Sequence, residues 1–287
     1  MRAEVRRSSK KSTSRLREIV KGELYDMQTR LMSAPLGVVV DNLDVKKISA
    51  SQFLELNRLF CTHKVLVFPD QELTPADQQQ FAEQWGELVP FPYGGLQDHP
   101  NIIELKNRGK KFDVNQHWHT DMSYQEAPPK LTMLYALEAP DIGGSTAFAN
   151  QNLAYEGLSD RLRRILEQER ALHSAQDLAK LFGANEKEAG QAEHPLVRTH
   201  DETGDKALYL CRAFTKQICG WSTEESKPML EYLYGHSVRP EYQARHEWRR
   251  GDLVIWDNRS LLHYAVHDHG DQPRLMHRLQ IKGSKPK

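Results

Sequence analysis

The sequence predicts a mainly β fold, a sandwich or barrel of short strands with helices on its flanks, and three observations support this. Short runs rich in Val, Ile, Leu, Tyr and Phe recur along the chain and lie close together in its last third. Few segments have helical spacing of apolar residues, and strands and helices do not alternate as in a doubly wound sheet. The chain has 287 residues, 39% of them apolar, which is enough for one domain with a sizeable core.

The candidate strands are short apolar or alternating runs bounded by turn residues. Two of them flank DETGD at 201–205, which is typical of a hairpin turn. In chain order the candidate strands are residues 37–40, 64–68, 102–105, 131–137, 145–150, 196–200, 206–211, 242–248, 252–258, 261–267 and 274–281.

The candidate helices are fewer, and one has a well-formed start. Thr74, Pro75 and Asp77 supply a cap, a first-turn proline and an acid near the cap. The predicted helices are residues 50–62, 74–86, 159–172 and 224–237. The polar stretch at 174–195 has little periodicity and is predicted to be a lid over a site.

Charge is unevenly spread along the chain, although Lys+Arg and Asp+Glu both number 39. Overall neutrality argues against a dedicated nucleic-acid binder. Residues 1–33 hold nine Lys/Arg and four Asp/Glu, a net +5, so the remainder carries −5. We predict that this basic N-terminal tail is disordered, with an organelle-targeting peptide or an oligomer contact as alternatives.

The cysteines and the hydropathy of the chain indicate where the protein is located and which partners to expect. The three cysteines, Cys61, Cys211 and Cys219, are too irregularly spaced for a disulfide framework or a zinc site. No apolar run approaches the roughly 18 residues that cross a bilayer, and no charged-then-apolar leader is present. We therefore expect a cytoplasmic protein without membrane or nucleic-acid partners, as a monomer or a homo-oligomer.

His119 and Asp121, in HWHTDMS, are candidate metal ligands. Residues two apart in an extended segment point to the same side, so both can reach one cation. With a second imidazole they would complete the two-histidine, one-carboxylate set of non-haem iron(II) oxygenases, which leaves open positions on the metal. His117 shares a face with His119 and is an alternative ligand.

The His-x-acid spacing alone is weak evidence, because 13 histidines and 39 acids produce it by chance about as often as it occurs here. Two further pairs, His200/Glu202 and His269/Asp271, lie in turn segments. We predict that both pairs are solvated.

Four motifs, in order and spacing, resemble the taurine dioxygenase family, which also includes dioxygenases acting on aryloxyalkanoates. The similarity extends from about Gly37 to Gly283. It implies a double-stranded β-helix (jelly roll, cupin-like) as a single oxygenase domain over 34–287. It also implies an iron(II), 2-oxoglutarate-dependent dioxygenase. The motifs are WHTDMSYQEAPP, GGSTAFAN, GDLVIWDNRSLLHYA and PRLMHR.

The resemblance also implies the third iron ligand. The histidine of the WDNRxxxH run matches His263, which would join His119 and Asp121 on the metal. His267, four residues further along the same predicted strand, is the alternative. Related iron halogenases lack the carboxylate ligand, so the presence of Asp121 favours oxygenation.

Further residues are carried over one by one from the family. Arg274 with Thr146 matches the pair that binds the distal carboxylate of 2-oxoglutarate, and Arg278 matches the nearby arginine closest to the substrate anion. Two arginines on one face of a barrel strand would be costly to bury without anions. The remaining substrate-side matches are Asn115, in the loop before the metal motif, and Phe214, an aromatic wall.

Together these features predict a dioxygenase that hydroxylates a small carboxylate, sulfonate or sulfate with dioxygen and 2-oxoglutarate, forming succinate and CO2. A non-catalytic 2-oxoglutarate sensor and a zinc hydrolase are the alternatives. Taurine-specific members carry a histidine where Phe91 stands here. We therefore predict that taurine is a poor substrate and that less polar anions are better ones.

Overall fold

Two sheets face each other around the centre of this protein, whose structure is a computed structural model that describes residues 27–90, 95–106, 117–181, 183 and 185–287. The strands are β1 (Gln28–Leu31), β2 (Val38–Asp41), β3 (Val65–Phe68), β4 (Gly95–Leu96), β5 (His99–Lys106), β6 (Leu131–Glu138), β7 (Thr146–Asn150), β8 (Arg170–Ser174), β9 (Gln191–Pro195), β10 (Val197–Thr199), β11 (Lys206–Leu208), β12 (Thr215–Ile218), β13 (Gln243–His246), β14 (Leu253–Asp257), β15 (Leu261–Ala265) and β16 (Leu275–Ile281).

The helices lie outside the two facing sheets and between some of the strands. They are α1 (Ala50–His63), α2 (Pro75–Glu83), α3 (Gln151–Glu156), α4 (Asp160–Leu166), α5 (Gln176–Leu181) and α6 (Thr223–Ser237), with short 3-10 helices at Val45–Lys47, Glu186–Glu188 and Pro240–Tyr242. Among the described residues no helix is long and apolar enough to cross a membrane.

The sheet order confirms the predicted mainly β fold. The main sheet runs β1-β2-β3-β14-β6-β16-β5-β4, and the second sheet runs β13-β7-β15. Two smaller sheets, β12-β8-β9 and the hairpin β10-β11, lie beside them. The described strand pairs are antiparallel except β2 and β3, which run parallel to each other and are joined through α1. The two facing sheets form the predicted jelly roll.

Strand β14 shows why these layers form. Its side chains alternate between two apolar environments, as expected for a strand that is buried on both faces. Val254 and Trp256 pack with Phe148 between the two sheets. Leu253 and Ile255 pack in the cluster that joins the main sheet to α1 and α2. Each fully buried side chain of this kind contributes about 1.5–3 kcal/mol, so β14 anchors the centre of the protein.

Side-chain caps set the predicted helix starts. Ser49, Thr74 and Ser222 each begin a helix with a complete capping box. The helices α1, α2 and α6 therefore begin within one residue of the sequence prediction.

Two predicted segments are assigned differently in the structure, and several strand ends also differ by a few residues. The predicted tail reached residue 33, but Gln28–Leu31 forms β1 and pairs with β2; residues 1–26 lie outside the described residues. The helix predicted over 159–172 ends at Leu166, because Arg170–Ser174 pairs with β9 and β12 as strand β8. Tertiary strand pairing overrides the local helical pattern there.

Candidate metal centre

Two histidines far apart in sequence meet through a backbone bridge. The amides of His119 and His263 donate to each other's carbonyl groups, with N···O distances of 3.0 and 2.8 Å. His263 lies on β15, directly opposite Phe148 of β7. The two imidazole ring centroids are 4.1 Å apart. The fold itself therefore sets the spacing of the two rings.

Asp121 reaches the same point from a turn, whereas the sequence pattern predicted an extended segment. His119 makes an isolated bridge, and residues 121–124 then turn, with Met122 in the left-handed region at φ 49°. Between the two ligands, the Thr120 hydroxyl donates to the Asn258 carbonyl at 2.7 Å. His119 and Asp121 are therefore close together, as predicted, but a turn and the Thr120–Asn258 hydrogen bond hold them there, not an extended strand.

The three side chains form one buried donor group. Asp121 Oδ1 lies 3.8 Å from His119 Nε2 and 3.7 Å from His263 Nε2. One donor atom of each residue lies within 4.8 Å of the others. In the part of the chain that the structure describes, this is the one group of its kind. Two imidazoles and a carboxylate on one side of a cation suit iron(II) and leave positions open for other ligands.

The protonation states of this group favour a cation. His119 Nδ1 lies 2.8 Å from the His117 carbonyl, so the proton sits on Nδ1 and Nε2 is left as the ligand atom. Burial, and then the neighbouring His119 ring, hold the pKa of His263 well below its usual value. Burial opposes ionisation of Asp121, but Arg278 and the two imidazoles hold its pKa below the usual range. The Asp121 carboxylate and the Nε2 atoms of both imidazoles therefore face the same point.

The alternative ligands do not join this group. The His117 side chain is exposed, and only its carbonyl contacts His119. His267 is exposed and lies beyond Ala265, the last residue of β15, so it is not on the strand face that the prediction gave it.

Arg278 bonds to the oxygen of Asp121 that faces the histidines. Its Nη2 lies 2.7 Å from Asp121 Oδ1, and its side chain is 21% exposed. Strand β16 lies between β6 and β5, so Arg278 is not on an edge strand. A guanidinium has five N–H donors, so the bond to Asp121 leaves donors for an incoming anion.

A second arginine, immediately before β16, has no acidic partner among the described residues. Arg274 Nε donates to the Gly144 carbonyl at 3.3 Å, and its guanidinium carbon lies 5.9 Å from the centre of the Trp248 ring. Burial lowers the pKa of Arg274 to about 10. Trp248 Nε1 donates to Thr146 Oγ1 at 2.9 Å. The same indole therefore contacts both members of the predicted pair, a role that the sequence alone did not reveal.

His269 lies over the same glycine turn, and the prediction that it is solvated is wrong. It is 6% exposed, and neither ring nitrogen has a hydrogen-bond partner among the described residues. A Cβ added at Gly144 would lie 3.3 Å from its ring. Burial, and then the charge of Arg274, lower the pKa of His269. An unbonded, neutral imidazole thus lies near the arginine.

Aromatic side chains form a wall beside the donor group. Phe214 is buried, and its ring centroid lies 6.3 Å from that of His119 and 5.1 Å from that of Tyr124. Tyr124 lies in the same motif as Asp121, but the sequence pattern did not single it out. Asn115 and Phe91, the other predicted substrate contacts, lie outside the described residues and stay predictions.

The His200/Glu202 pair belongs to a largely buried ion network, so the prediction of a solvated pair is wrong for His200. Asp257 Oδ2 lies 2.8 Å from His200 Nε2, and Arg259 donates to both oxygens of Asp257 at 2.8 and 2.9 Å. Arg259 also donates to Glu202 Oε1 at 2.7 Å. This network fixes the turn between β14 and β15 and so orients the strand that carries His263.

Comparisons with known proteins agree with this geometry. The family model described as taurine catabolism dioxygenase TauD, TfdA family matches residues 28–280. An alkylsulfatase from Acinetobacter baylyi is 33% identical over 282 residues, covering 92% of this chain and 87% of that protein. An α-ketoglutarate-dependent sulfate ester dioxygenase from Pseudomonas putida is 36% identical, covering 78% of each. The crystal structure of a taurine dioxygenase from Burkholderia xenovorans superposes with a TM-score of 0.81 at 30% identity, covering 91% of this chain and 92% of that one.

Proposed function

Because the chain belongs to the taurine catabolism dioxygenase TauD, TfdA family, we propose that it is an iron(II)- and 2-oxoglutarate-dependent dioxygenase that hydroxylates a small anionic organic substrate. The observation that carries the proposal is the buried group of His119, Asp121 and His263, whose donor atoms converge within 4.8 Å. Its donor set is the one that non-haem iron(II) oxygenases use.

The iron, when bound, would supply the oxidation chemistry. One atom of dioxygen would enter succinate as 2-oxoglutarate loses carbon dioxide, and the other would be inserted into a C–H bond of the substrate. In this proposal Arg274 and Thr146 bind the distal carboxylate of 2-oxoglutarate. Support comes from the half-buried Arg274 guanidinium, which has no acidic partner among the described residues and whose pKa is lowered by burial. A carboxylate bound by two N–H groups would offset that burial.

Arg278 is the proposed contact for the substrate anion. It keeps N–H donors beyond its bond to Asp121, and it remains partly exposed on the side of the donor group. Phe214 and Tyr124 form an apolar wall there, which limits the access of water to the reacting carbon. Asn115 and Phe91 are further proposed contacts of the substrate.

Residues 174–195 are proposed to cover this site. They include α5 and β9, and Gly190 between them lies against Tyr124, so that a Cβ at Gly190 would lie 3.1 Å from the ring. The segment therefore borders the aromatic wall, as the sequence-based lid prediction requires.

The proposed substrates are alkyl sulfates, alkylsulfonates and aryloxyalkanoates. Support comes from similarity to an alkylsulfatase and a sulfate ester dioxygenase. Hydroxylation at the carbon that bears a sulfate oxygen gives an unstable adduct, which breaks down to an aldehyde and inorganic sulfate. Taurine is expected to be poor, because Phe91 stands where taurine-specific relatives have a histidine.

The experiment is a succinate assay with iron(II), 2-oxoglutarate and dioxygen across a panel of octyl sulfate, hexanesulfonate, phenoxyacetate and taurine. We expect succinate formation that needs all three cofactors and rises with an anionic substrate. Asp121→Ala should abolish it, because two protein ligands hold a divalent ion poorly. Taurine giving the highest kcat/KM would contradict the substrate assignment but not the reaction class.

The same assay separates the alternatives. A 2-oxoglutarate sensor would bind the co-substrate and form no succinate with any substrate. A zinc hydrolase would release sulfate from octyl sulfate under anaerobic conditions, without 2-oxoglutarate. Either result would replace the proposed function.

A further inference from the structure

The two carboxylate oxygens of Asp121 have different partners. Oδ1 faces His119 and His263. Oδ2 lies 2.5 Å from the hydroxyl oxygen of Thr132. Thr132 is fully buried on β6. A hydroxyl thus contacts the other oxygen of the carboxylate, not the one that lies nearest the imidazoles.

The neighbours of Thr132 decide where its one hydroxyl proton points. Asn258 Nδ2 lies 3.0 Å and Gln280 Nε2 lies 3.2 Å from Thr132 Oγ1. Trp256 Nε1 donates to Asn258 Oδ1 at 3.1 Å, which turns the amide nitrogen of Asn258 toward Thr132. Two donated hydrogen bonds fill the acceptor positions of a hydroxyl. Its own proton is left to bond Asp121 Oδ2.

The strand register builds this arrangement. Trp256 on β14 and Gln280 on β16 are the direct partners of Thr132 on the two strands beside β6. The residue after β14, Asn258, also accepts the Thr120 hydroxyl through its carbonyl. A closed ring of contacts therefore joins the segment that carries Asp121 to three neighbouring strands of the main sheet.

We propose that Thr132 is a positioning residue for the metal centre, whose hydroxyl binds Asp121 Oδ2 so that only Oδ1 is offered to the cation. This inference rests on the proposed iron-binding role of Asp121. A hydrogen bond to an ionised carboxylate is roughly twice as strong as one between neutral groups. Without it, the carboxylate loses the contact that fixes its rotation, and both oxygens can turn toward the cation or toward Arg278.

The test measures divalent metal affinity without turnover. Thr132→Val removes the hydroxyl at nearly constant volume, and Thr132→Ser keeps it. Mn(II) binding is followed by electron paramagnetic resonance in the absence of 2-oxoglutarate. Loss of an outer partner of a metal ligand typically costs about 10–100-fold in metal affinity, and we expect this loss for Thr132→Val. Thr132→Ser should bind Mn(II) nearly as tightly as the wild type.

A second pair covers the case in which Thr132→Val does not fold because two buried amides lose their acceptor. The smaller alanine leaves room for a water molecule that can accept from those amides. Thr132→Ala and Thr132→Ser both lack the methyl group and differ only in the hydroxyl, so weaker Mn(II) binding by alanine alone supports the inference. Ser226→Ala is the matched control. Ser226 lies on α6, and its buried hydroxyl accepts from the Ile218 amide of β12 and touches none of the three proposed ligands. The Mn(II) affinity of this variant should therefore be unchanged.

The outcomes separate this inference from the proposed function. Wild-type protein that binds no Mn(II) would overturn the proposed metal centre itself. Wild-type protein that binds Mn(II), with Thr132→Ala and Thr132→Ser binding equally well, would overturn only the role of Thr132. Equal weakening of the serine and alanine variants would point to packing and would also reject the hydroxyl bond.

Discussion

Arg274 carries a half-buried guanidinium that no carboxylate among the described residues neutralises. Arg274→Ala should therefore weaken 2-oxoglutarate binding by about 2–5 kcal/mol, or roughly 30-fold to several thousand-fold. The metal-to-ligand charge-transfer band of the anaerobic iron(II) complex reports this binding in a titration. The 2-oxoglutarate affinity of Arg274→Lys should lie between those of the wild type and Arg274→Ala, because a lysine keeps the charge but not the paired N–H geometry.

Arg212→Ala is the control for this change, since Arg212 forms an exposed ion pair with Glu231 and has no proposed role in the site. An unchanged titration curve for Arg274→Ala would remove Arg274 from the co-substrate pocket.

His173 makes the stability of the metal-free protein depend on pH. Burial, and then the nearby His194, lower the pKa of His173 to about 3, against about 6.5 in an unfolded chain. The unfolded state therefore binds a proton that the folded state refuses. The contribution is complete above pH 6.5 and is lost as the pH falls toward 3, at up to about 1.4 kcal/mol per pH unit.

His173→Phe should flatten this slope, because it removes the titrating group and keeps a ring against Tyr209. Urea unfolding at pH 6.5, 5.5 and 4.5, with a chelator present, measures the slope. This pH range lies above the pH at which Asp121 and Asp257 take up protons. The pKa values of both are lowered in the folded protein, so their protonation reduces stability separately, at more acidic pH. Replacing the exposed His267 with Phe is the control, and equal slopes in both variants would contradict this account.

Sequence motifs predicted some residues of the site and could not predict others. His119, Asp121 and His263 were named from motif spacing and family resemblance, and the structure brings them together. Thr132 and Trp248 were not named, because their contacts depend on strand register. The partners of Thr132 lie 126 and 148 residues further along the chain, and no local pattern carries that information.

Removing strand β1 should destabilise the protein, whereas removing only the segment that precedes β1 should not. Deleting residues 1–26 should leave turnover and thermal stability intact, because the motifs and the described core begin later. Deleting residues 1–33 removes β1 and Met32, which packs at the inter-sheet core, and leaves β2 unpaired on one side. We expect a lower melting temperature and concentration-dependent association, since an unpaired strand edge invites pairing.

Calorimetry and light scattering on the two truncations test this expectation. Identical melting temperatures and masses for both would show that β1 contributes nothing. A drop already at residue 26 would show that the basic tail holds a structural element, contrary to its composition.

Helix starts were predicted correctly where the capping residues alone determine them. Capping boxes at Ser49, Thr74 and Ser222 placed three helix starts within one residue. The predicted helix at 159–172 failed in its second half, because β9 and β12 recruit Arg170–Ser174 as a strand. Strand pairing is a long-range effect, so periodicity in a short window does not report it.

Phe148 connects the packing of the whole molecule to the site. It is fully buried between the two sheets, its ring centroid lies 5.7 Å from that of Trp256, and it is the strand partner of His263. Phe148→Ala should reduce the free energy of unfolding by about 3–5 kcal/mol. It should also weaken Mn(II) binding, because the cavity lies behind the His263 ring.

Phe81→Ala is the matched control, since Phe81 is equally buried but packs on the helix side of the main sheet. It should destabilise the protein by a similar amount and leave Mn(II) affinity near wild type when measured well below the melting temperature. Equal losses of affinity in both variants would mean that metal binding simply follows global stability.

The backbone bridge between His119 and His263 has a consequence for metal exchange. The two residues are 144 positions apart, and closing a loop of that length in a loose chain costs about 4 kcal/mol of entropy. Here two amide hydrogen bonds and the sheets hold the loop closed through the backbone. A chelator should therefore strip the ion while far-UV circular dichroism stays unchanged, unlike a zinc finger, which unfolds. Such a rigid chelate takes whichever divalent ion is supplied, so zinc or copper in excess should displace iron and silence the enzyme reversibly.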